Sequence, residues 1–398
     1  MHSNIEQLYK IANKANRKVI GLMSGTSMDG LDIALCEISG AGSTTQLSLL
    51  QHTTVPYDAF LKEQILSVFS KEHISLEQLC LIHPWLGVQH AKMILHALKG
   101  WGIDASEIDL IASHGQTIYH APKSLQPNDV FGSATLQIGE ADHIAVETGI
   151  ITISDFRQKH IAAGGEGAPL SVYGDYILFA SKQENRVLLN IGGISNFTYL
   201  PAAVSLNEVL SSDTGPGNTM MDAYMRAHYN IPYDKDGLIA KAGKSNDLLL
   251  AALKGNSFFN LPLPKTVGPE LFNLEYLKQA QVESNTLNIS HEDVVATLNQ
   301  FTAETIVDAI QSVIELEKVD AVYLSGGGMH NSVLFDHLSN LLSGIKVVSL
   351  QNIGMNPDAK EAILFALLAN EAVAGEAMQI GGNATKKPIT MGKISFPN

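Results

Sequence analysis

Residues 18–38 read KVIGLMSGTSMDGLDIALCEI. Lys18–Met23 is an apolar strand, Ser24–Gly30 a turn rich in glycine and hydroxyls, and Leu31–Ile38 a second strand. In that second strand Leu31, Ile33 and Leu35 face one way, and Ala34, Cys36 and Ile38 the other. Both faces are apolar, which predicts a strand of a sheet covered on both sides. A glycine turn between buried strands lets the backbone approach a ligand and aim N–H groups at it. The same arrangement returns about 170 residues later, as Arg186–Ile191, Gly192-Gly193 and Ile194–Leu200. A third strand, Asp320–Leu324, runs into Ser325-Gly326-Gly327-Gly328. The chain holds 33 glycines in 398 residues. That is close to the usual share of roughly 7%, so the placement carries the information and the count does not.

Outward from these hairpins, strands alternate with helices, which predicts an α/β protein. In the first half, helices are expected at Tyr57–Ser70, Ser75–Gly100 and Glu140–Glu147. Ser75 is read as an N-cap, Pro84 as a break, and Gly100 and Gly149 as closing glycines. Strands are expected at Asp109–Ser113 and Ile150–Ser154. In the second half, helices are expected at Thr219–Tyr229, Ser245–Lys254, Asp293–Glu317, Asn331–Leu342 and Asp358–Ala374, with a strand at Lys346–Leu350. The repeated hairpin predicts two related domains facing one cleft, residues 18–153 and 154–374. Residues 375–398 are expected to return to the first domain. Residues 1–17 are expected to be a surface appendage, an amphipathic helix with Ile5, Leu8, Tyr9 and Ala12 on one face.

Composition removes several function classes. Hydrophobic residues make up 45%, ample for a large core. The formal net charge of −14 argues against broad binding to nucleic acid or to anionic membranes. It leaves room for nucleotide phosphates met by backbone N–H groups. Cys36 and Cys80 are too far apart for a metal or redox motif and are read as buried thiols. Residues 1–18 lack the apolar core of a signal peptide, and no run reaches the roughly 20 apolar residues of a membrane helix. A soluble, cytoplasmic protein is expected. GxxxxGK[ST], a strand-following GxGxxG, HExxH and GxSxG are all missing, which argues against P-loop, Rossmann, zinc-hydrolase and serine-hydrolase chemistry.

The chain resembles the anhydro-N-acetylmuramic acid kinases. The resemblance rests on GLMSGTSMDGLD at 21–32, SHGQT at 113–117, TLQIGEAD at 135–142, DFR at 155–157, AGGEGAPL at 163–170, LNIGGISN at 189–196, DTGPGN at 213–218 and SGGG at 325–328. These keep family order and span nearly the whole chain. The implied fold is the two-domain, actin-like ATPase fold of sugar kinases, with an ATP cleft between the domains. The implied reaction opens the 1,6-anhydro bridge with water and phosphorylates O6, using ATP and Mg²⁺, in peptidoglycan recycling. A homodimer is also implied. A kinase for another anhydro sugar such as levoglucosan, and a non-enzymatic nucleotide switch, are the competing readings.

Residue by residue, the expected ATP ligands are Gly21, Ser24, Gly25, Thr26, Ser27, Met28, Asp29 and Gly30 in the first hairpin. Gly192, Gly193 and Asn196 are expected in the second, and Gly326, Gly327 and Gly328 beside the adenosine. The hydroxyl of Ser195 is a further phosphate donor, and Asp29 is the expected Mg²⁺ ligand through water. Asp213 precedes a turn into a helix, whose positive end favours its ionised form. The resemblance makes it the general base, with Asp155, at the end of a strand, as the alternative. Glu361 is the further acidic residue of the site. His114, Gln116, Gly215 and Asn218 are expected on the sugar, and Lys265 on a phosphate or a carboxylate. The chain departs from the family pattern at His160, where an acid is usual, and at Pro269, where an arginine is usual. The stretch Lys123–Ser133 is also longer than usual.

Overall fold

A computed structural model describes residues 2–25, 28–71, 73–121, 123, 130–167, 170–203, 208–268, 271–377 and 388–398. The first part of the chain carries α1 (Ser3–Ala12), β1 (Asn16–Ser24), β2 (Gly30–Ser39), β3 (Gln46–Pro56), α2 (Ala59–Val68) and α3 (Leu76–Trp101). It continues with β4 (Leu110–Ala121), β5 (Ala134–Ile138), α4 (Ala141–Thr148), β6 (Thr152–Ser154), α5 (Phe156–Ala162) and α6 (Ser171–Phe179). A middle part carries β7 (Arg186–Ile191), β8 (Ile194–Leu200), β9 (Leu210–Pro216), α7 (Thr219–Tyr229), α8 (Leu238–Ala242) and α9 (Asp247–Lys254). Then come α10 (Leu274–Glu283), α11 (His291–Gln311), β10 (Ala321–Ser325), α12 (Ser332–Leu341) and β11 (Lys346–Ser349). The last part adds α13 (Lys360–Ala374) and β12 (Lys393–Ser395).

These elements form two units. Unit 1 comprises residues 1–179 and 358–398, and unit 2 residues 180–357. In unit 1, β1 pairs antiparallel with β2 and β2 with β3, while β4 runs parallel to β1 and β6 parallel to β4. In unit 2, β7 pairs antiparallel with β8 and β8 with β9, while β10 runs parallel to β7 and β11 parallel to β10. The strand order and directions are therefore the same in both units. Unit 1 adds β5 on β4 and β12 on β6.

Burial explains the choice of hairpin strands. Ile20, Leu22, Leu31, Ile33 and Leu35 enter one apolar cluster with α2, α3 and α4. The opposite face of β1 and β2 is covered by α13, a helix whose residues 362–371 are all buried. In unit 2, the buried helix α11 serves two clusters. Its second half packs on β7 and β10, and its first half on α7, α9 and α10.

The unit boundaries differ from those expected. Residues 154–179 and 358–374 belong to unit 1, not to the second domain, because α13 lies on β1, β2 and β4 and α6 lies on α13. Helix α1 forms as expected but is more than an appendage. Asn4 and Ile11 are its buried residues, and the Asn4 amide donates to the Asn398 carbonyl at 2.6 Å. Ile5 and Tyr9, expected on the packed face, are exposed. Helix α3 runs unbroken through Pro84 and closes on Gly102, whose left-handed backbone suits glycine, rather than on Gly100. Cys36 is buried as expected, but Cys80 is exposed. Among the described residues, no helix is long and apolar enough to cross a membrane.

Candidate active site

In unit 1 the first hairpin is braced from below. The Gln116 amide nitrogen donates to the carbonyls of Gly25 and Thr117, which leaves its oxygen to accept the Ser24 hydroxyl. The Tyr57 hydroxyl donates to Ser24 at 2.8 Å and so accepts from His90 Nε2 at 2.9 Å. All four groups are buried, and burial holds His90 neutral, its pKa pushed down to about 4. A buried network of this kind rigidifies what it holds, with His90 Nδ1 left unpartnered. Gln116 and Ser24 therefore position the turn. Gln116, fully buried, contacts Gly25 rather than an open surface.

Other expected phosphate ligands of this hairpin have structural work. A Cβ on Gly21 would stand 1.8 Å from the Ala362 carbonyl oxygen of α13, and one on Gly30 would stand 2.4 Å from the Val55 carbonyl oxygen of β3. Both glycines permit close packing. Met28 is buried in the core, and its N–H donates to the Gly25 carbonyl. Gly25 and the exposed Asp29 remain at the tip. Thr26 and Ser27 lie outside the described residues.

In unit 2 the register lines up a polar row. Asp213 of β9 is opposite Asn196 of β8, Asn196 opposite Asn190 of β7, and Asn190 beside Ser325 of β10. Laterally paired residues share a sheet face, so these four side chains project from one side. The row ends at Gly326, whose backbone packs on the Ile191 carbonyl. The Ser325 hydroxyl donates to Asn190 Oδ1 at 3.3 Å. The sequence reading missed Asn190, although it sits inside the quoted LNIGG. Strand alternation from Asn196 across a two-residue turn was the signal that finds it.

Asp213 is clamped from the side. Its N–H donates to the Lys265 carbonyl, and Val267 N–H donates to its carboxylate at 2.9 Å. Burial pushes its pKa up to about 6, against the lowering effect of that N–H bond. The carboxylate is thus ionised at neutral pH yet basic enough to take a proton. The sign is set by the direction of the shift: a base at this position is lost as pH falls through about 6. We expect log kcat/KM to fall with a slope of one below that value. A profile flat from neutrality to well below pH 6 would contradict the assignment.

The turn after Asp213 folds back on the second hairpin. Gly217 and Thr219 N–H donate to the Gly193 carbonyl, and Asn218 N–H to that of Gly192. Gly215 is buried at φ +141°, where a Cβ would press on the Phe259 ring. It shapes the strand end and is closed off from a ligand. Gly328 packs on Ile191, while Gly327 is exposed. Asn218 and Gly327 line one cavity of about 430 Å³ with Asp222, Tyr233 and Asp236. The Ser195 hydroxyl is engaged with Thr214 inside unit 2. Lys265 is neither solvated nor at an open anion site. Its ammonium donates to the Phe258 carbonyl at 2.9 Å and lies 4.4 Å from the Phe258 ring centroid.

Unit 1 contributes the remaining carboxylates. Glu361, in the first turn of α13, reaches solvent, but the protein packed around it raises its pKa; Lys360 and Arg157 oppose that rise. Arg157 Nε donates to His114 Nε2 at 2.9 Å, and its NH1 group to the Gly167 carbonyl. Since arginine only donates, the proton of neutral His114 sits on Nδ1. Burial, helped by the Arg157 charge, pushes His114 down to about 3. His114 thus orients Arg157. His160 Nδ1 accepts from Gly167 N–H at 2.9 Å, which explains a histidine there: it holds the 163–167 loop. Pro269 lies outside the described residues.

Asp155 takes a left-handed backbone at φ +57°, makes no helix-capping bond, and pairs with Lys393. Asp32, not singled out in the sequence, is raised by burial and by the nearby carboxylates Asp358 and Asp29. These groups offer oxygen alone, the donor type that Mg²⁺ takes. Among the described residues, no three acidic, histidine or cysteine side chains converge on one point.

Two units of identical strand order, each built around a glycine-turned hairpin, define the actin/sugar-kinase/Hsp70 class of fold. Within that class the comparisons are specific. The family model for anhydro-N-acetylmuramic acid kinase matches residues 17–396. A protein of that name from Pseudoalteromonas atlantica is 54% identical, covering 100% of both chains. One from Pseudoalteromonas translucida is 53% identical over the same shares. One from Caldanaerobacter subterraneus subsp. tengcongensis is 40% identical over 98% of this chain and 100% of its own. The chain belongs to the anhydro-N-acetylmuramic acid kinase family.

Proposed function

We propose that this chain converts 1,6-anhydro-N-acetylmuramic acid, water and ATP into N-acetylmuramic acid 6-phosphate and ADP. The observation that carries the mechanism is Asp213, half-buried, raised to about 6 and fixed by Val267 N–H. Asp213 takes a proton from the attacking water as oxygen bonds to C1. The bond from C1 to the bridging oxygen breaks, and that oxygen, now O6, attacks the γ-phosphorus as ADP departs. Asp155 is not assigned the base role, because its carboxylate is paired with Lys393. Glu361 and Arg157 form a charged pair of groups on unit 1 suited to orienting the sugar.

The tips of both hairpins bind the nucleotide phosphates, through Gly25, Asp29, Gly192, Gly193 and Asn196. The 430 Å³ cavity beside Asn218 and Gly327 takes the adenosine. Mg²⁺, when bound at Asp29 and Asp32, supplies charge neutralisation for the phosphates. Thr26 and Ser27 belong to the same phosphate set. The reading also includes a cytoplasmic homodimer acting in peptidoglycan recycling.

The test is ADP release over a panel of anhydro sugars, with the product located by NMR. ADP formation should depend on the N-acetylmuramic sugar and place phosphate on O6. Faster turnover on levoglucosan would move the substrate assignment. Equal ADP release with and without any sugar would overturn the kinase reading.

A further inference from the structure

Unit 1 holds a cavity of about 230 Å³ at the carboxyl end of β6, where β4 leaves its parallel pairing with that strand. Ligands of open α/β sheets bind at such strand ends. Its volume lies below the roughly 300–1,000 Å³ of drug-sized pockets, so it suits part of a sugar and not a nucleotide.

Three lining side chains carry buried polar atoms with no partner, Ser113 Oγ, His114 Nδ1 and Gln137 Oε1. Ser113 is 1% exposed and Gln137 8%. Buried polar atoms are nearly always bonded, so each such orphan calls for an explanation. The Gln137 amide is not free to rotate. Its nitrogen donates to Thr117 Oγ1 at 3.1 Å and Thr135 Oγ1 at 2.8 Å, which leaves Oε1 as a fixed acceptor. Ser113 supplies a hydroxyl that can donate. Asp155 lines the same cavity from its left-handed position, and Lys393, also on the lining, balances its charge. A non-glycine residue held in that backbone region is typical of functional sites.

The unused Gln137 acceptor and Ser113 donor match the two faces of a secondary amide, and the protonated His114 Nδ1 stands on the same lining as a second donor. We propose that this cavity reads the acetamido group of the acceptor sugar, with Gln137 Oε1 accepting its N–H and the Ser113 hydroxyl donating to its carbonyl. Asp155 accepts from a neighbouring sugar hydroxyl. The proposal rests on the kinase reading above and names the part of that substrate which unit 1 recognises.

The test compares kcat/KM for 1,6-anhydro-N-acetylglucosamine with that for levoglucosan, which lacks the amide. The wild type should prefer the acetamido sugar. In Gln137→Leu that preference should fall at least about tenfold, as expected when a buried acceptor loses its role in discrimination. KM for ATP should stay within about twofold. Ser113→Ala, which removes one oxygen and adds no bulk, should lower the same ratio; it decides the matter if Gln137→Leu fails to fold in a melting assay. An unmoved ratio in an active variant, or an equal loss on both sugars, would overturn the subsite and leave the kinase reading standing. A wild type inactive on both sugars and on 1,6-anhydro-N-acetylmuramic acid alike would overturn the kinase reading, and the subsite with it.

Discussion

Asp213→Asn should lower kcat by about 10²–10⁴, the usual worth of a positioned general base, with KM for ATP within about twofold. Asparagine keeps an oxygen for Val267 N–H and keeps the volume, so the clamp of residues 265–267 survives. What it cannot do is accept the water proton. Melting temperature should hold or rise, because burial disfavours the native carboxylate and a neutral amide escapes that cost. A stability gain with an activity loss is the sign of a group kept for chemistry. Steady-state ADP release and a melting curve on the same sample check both halves. Near-normal turnover would remove Asp213 as the base.

Gly21→Ala should damage the fold more than any other single methyl considered. The new Cβ would meet the Ala362 oxygen at 1.8 Å and the Ala366 nitrogen at 2.8 Å, both main-chain atoms of α13. No side chain can swing away, so α13 or β1 must shift. Overpacking costs about 1–3 kcal/mol where side chains can adjust, and the cost here should lie at the upper end or beyond. At about 2–4 °C per kcal/mol for a body the size of unit 1, its melting should drop by roughly 6–12 °C. Glu361 rides on the first turn of the same helix, so activity should fall as well. Gly100→Ala is the control: it sits in α3 with nothing within 4 Å. If Gly21→Ala melts like the parent, the close packing of α13 on β1 is wrong.

The two hairpins were legible because their strands are apolar on both faces and their turns are marked by glycine. β3, β5 and β9 were not. β3 lies at the sheet edge with none of its residues buried, so it shows no apolar face to read. β9 is LSSDTGP, a polar strand that carries Asp213, and its composition reads as the turn that follows it. The candidate site was legible as motifs but not as roles. Gly21, Gly25 and Gly30 look alike in the sequence, yet Gly21 and Gly30 are there for the backbone behind them. Likewise SHGQT places a histidine and a glutamine together, and only the fold shows that Gln116 braces a turn while His114 orients Arg157. Ser113, ahead of both in the same motif, lies opposite Leu22 as Gln116 lies opposite Ser24, so the two share a sheet face, and Ser113 lines the cavity beside β6 together with His114.

Unit 2 is a single uninterrupted stretch of chain, whereas unit 1 is completed only by α13 and β12. Helix α13 covers one face of β1 and β2. At its far end Asn370 Oδ1 takes the Arg17 Nε–H bond, and the Glu371 carboxylate the Gly42 N–H bond. On the ribosome, β1 therefore emerges early with an apolar face and a buried arginine that have no cover until nearly the whole chain has been made. Unit 2 can fold before that point, as contiguous domains do during synthesis. The first hairpin is thus the first part of the site to be made and the last to be finished, and a chain truncated before residue 358 would expose it to aggregation.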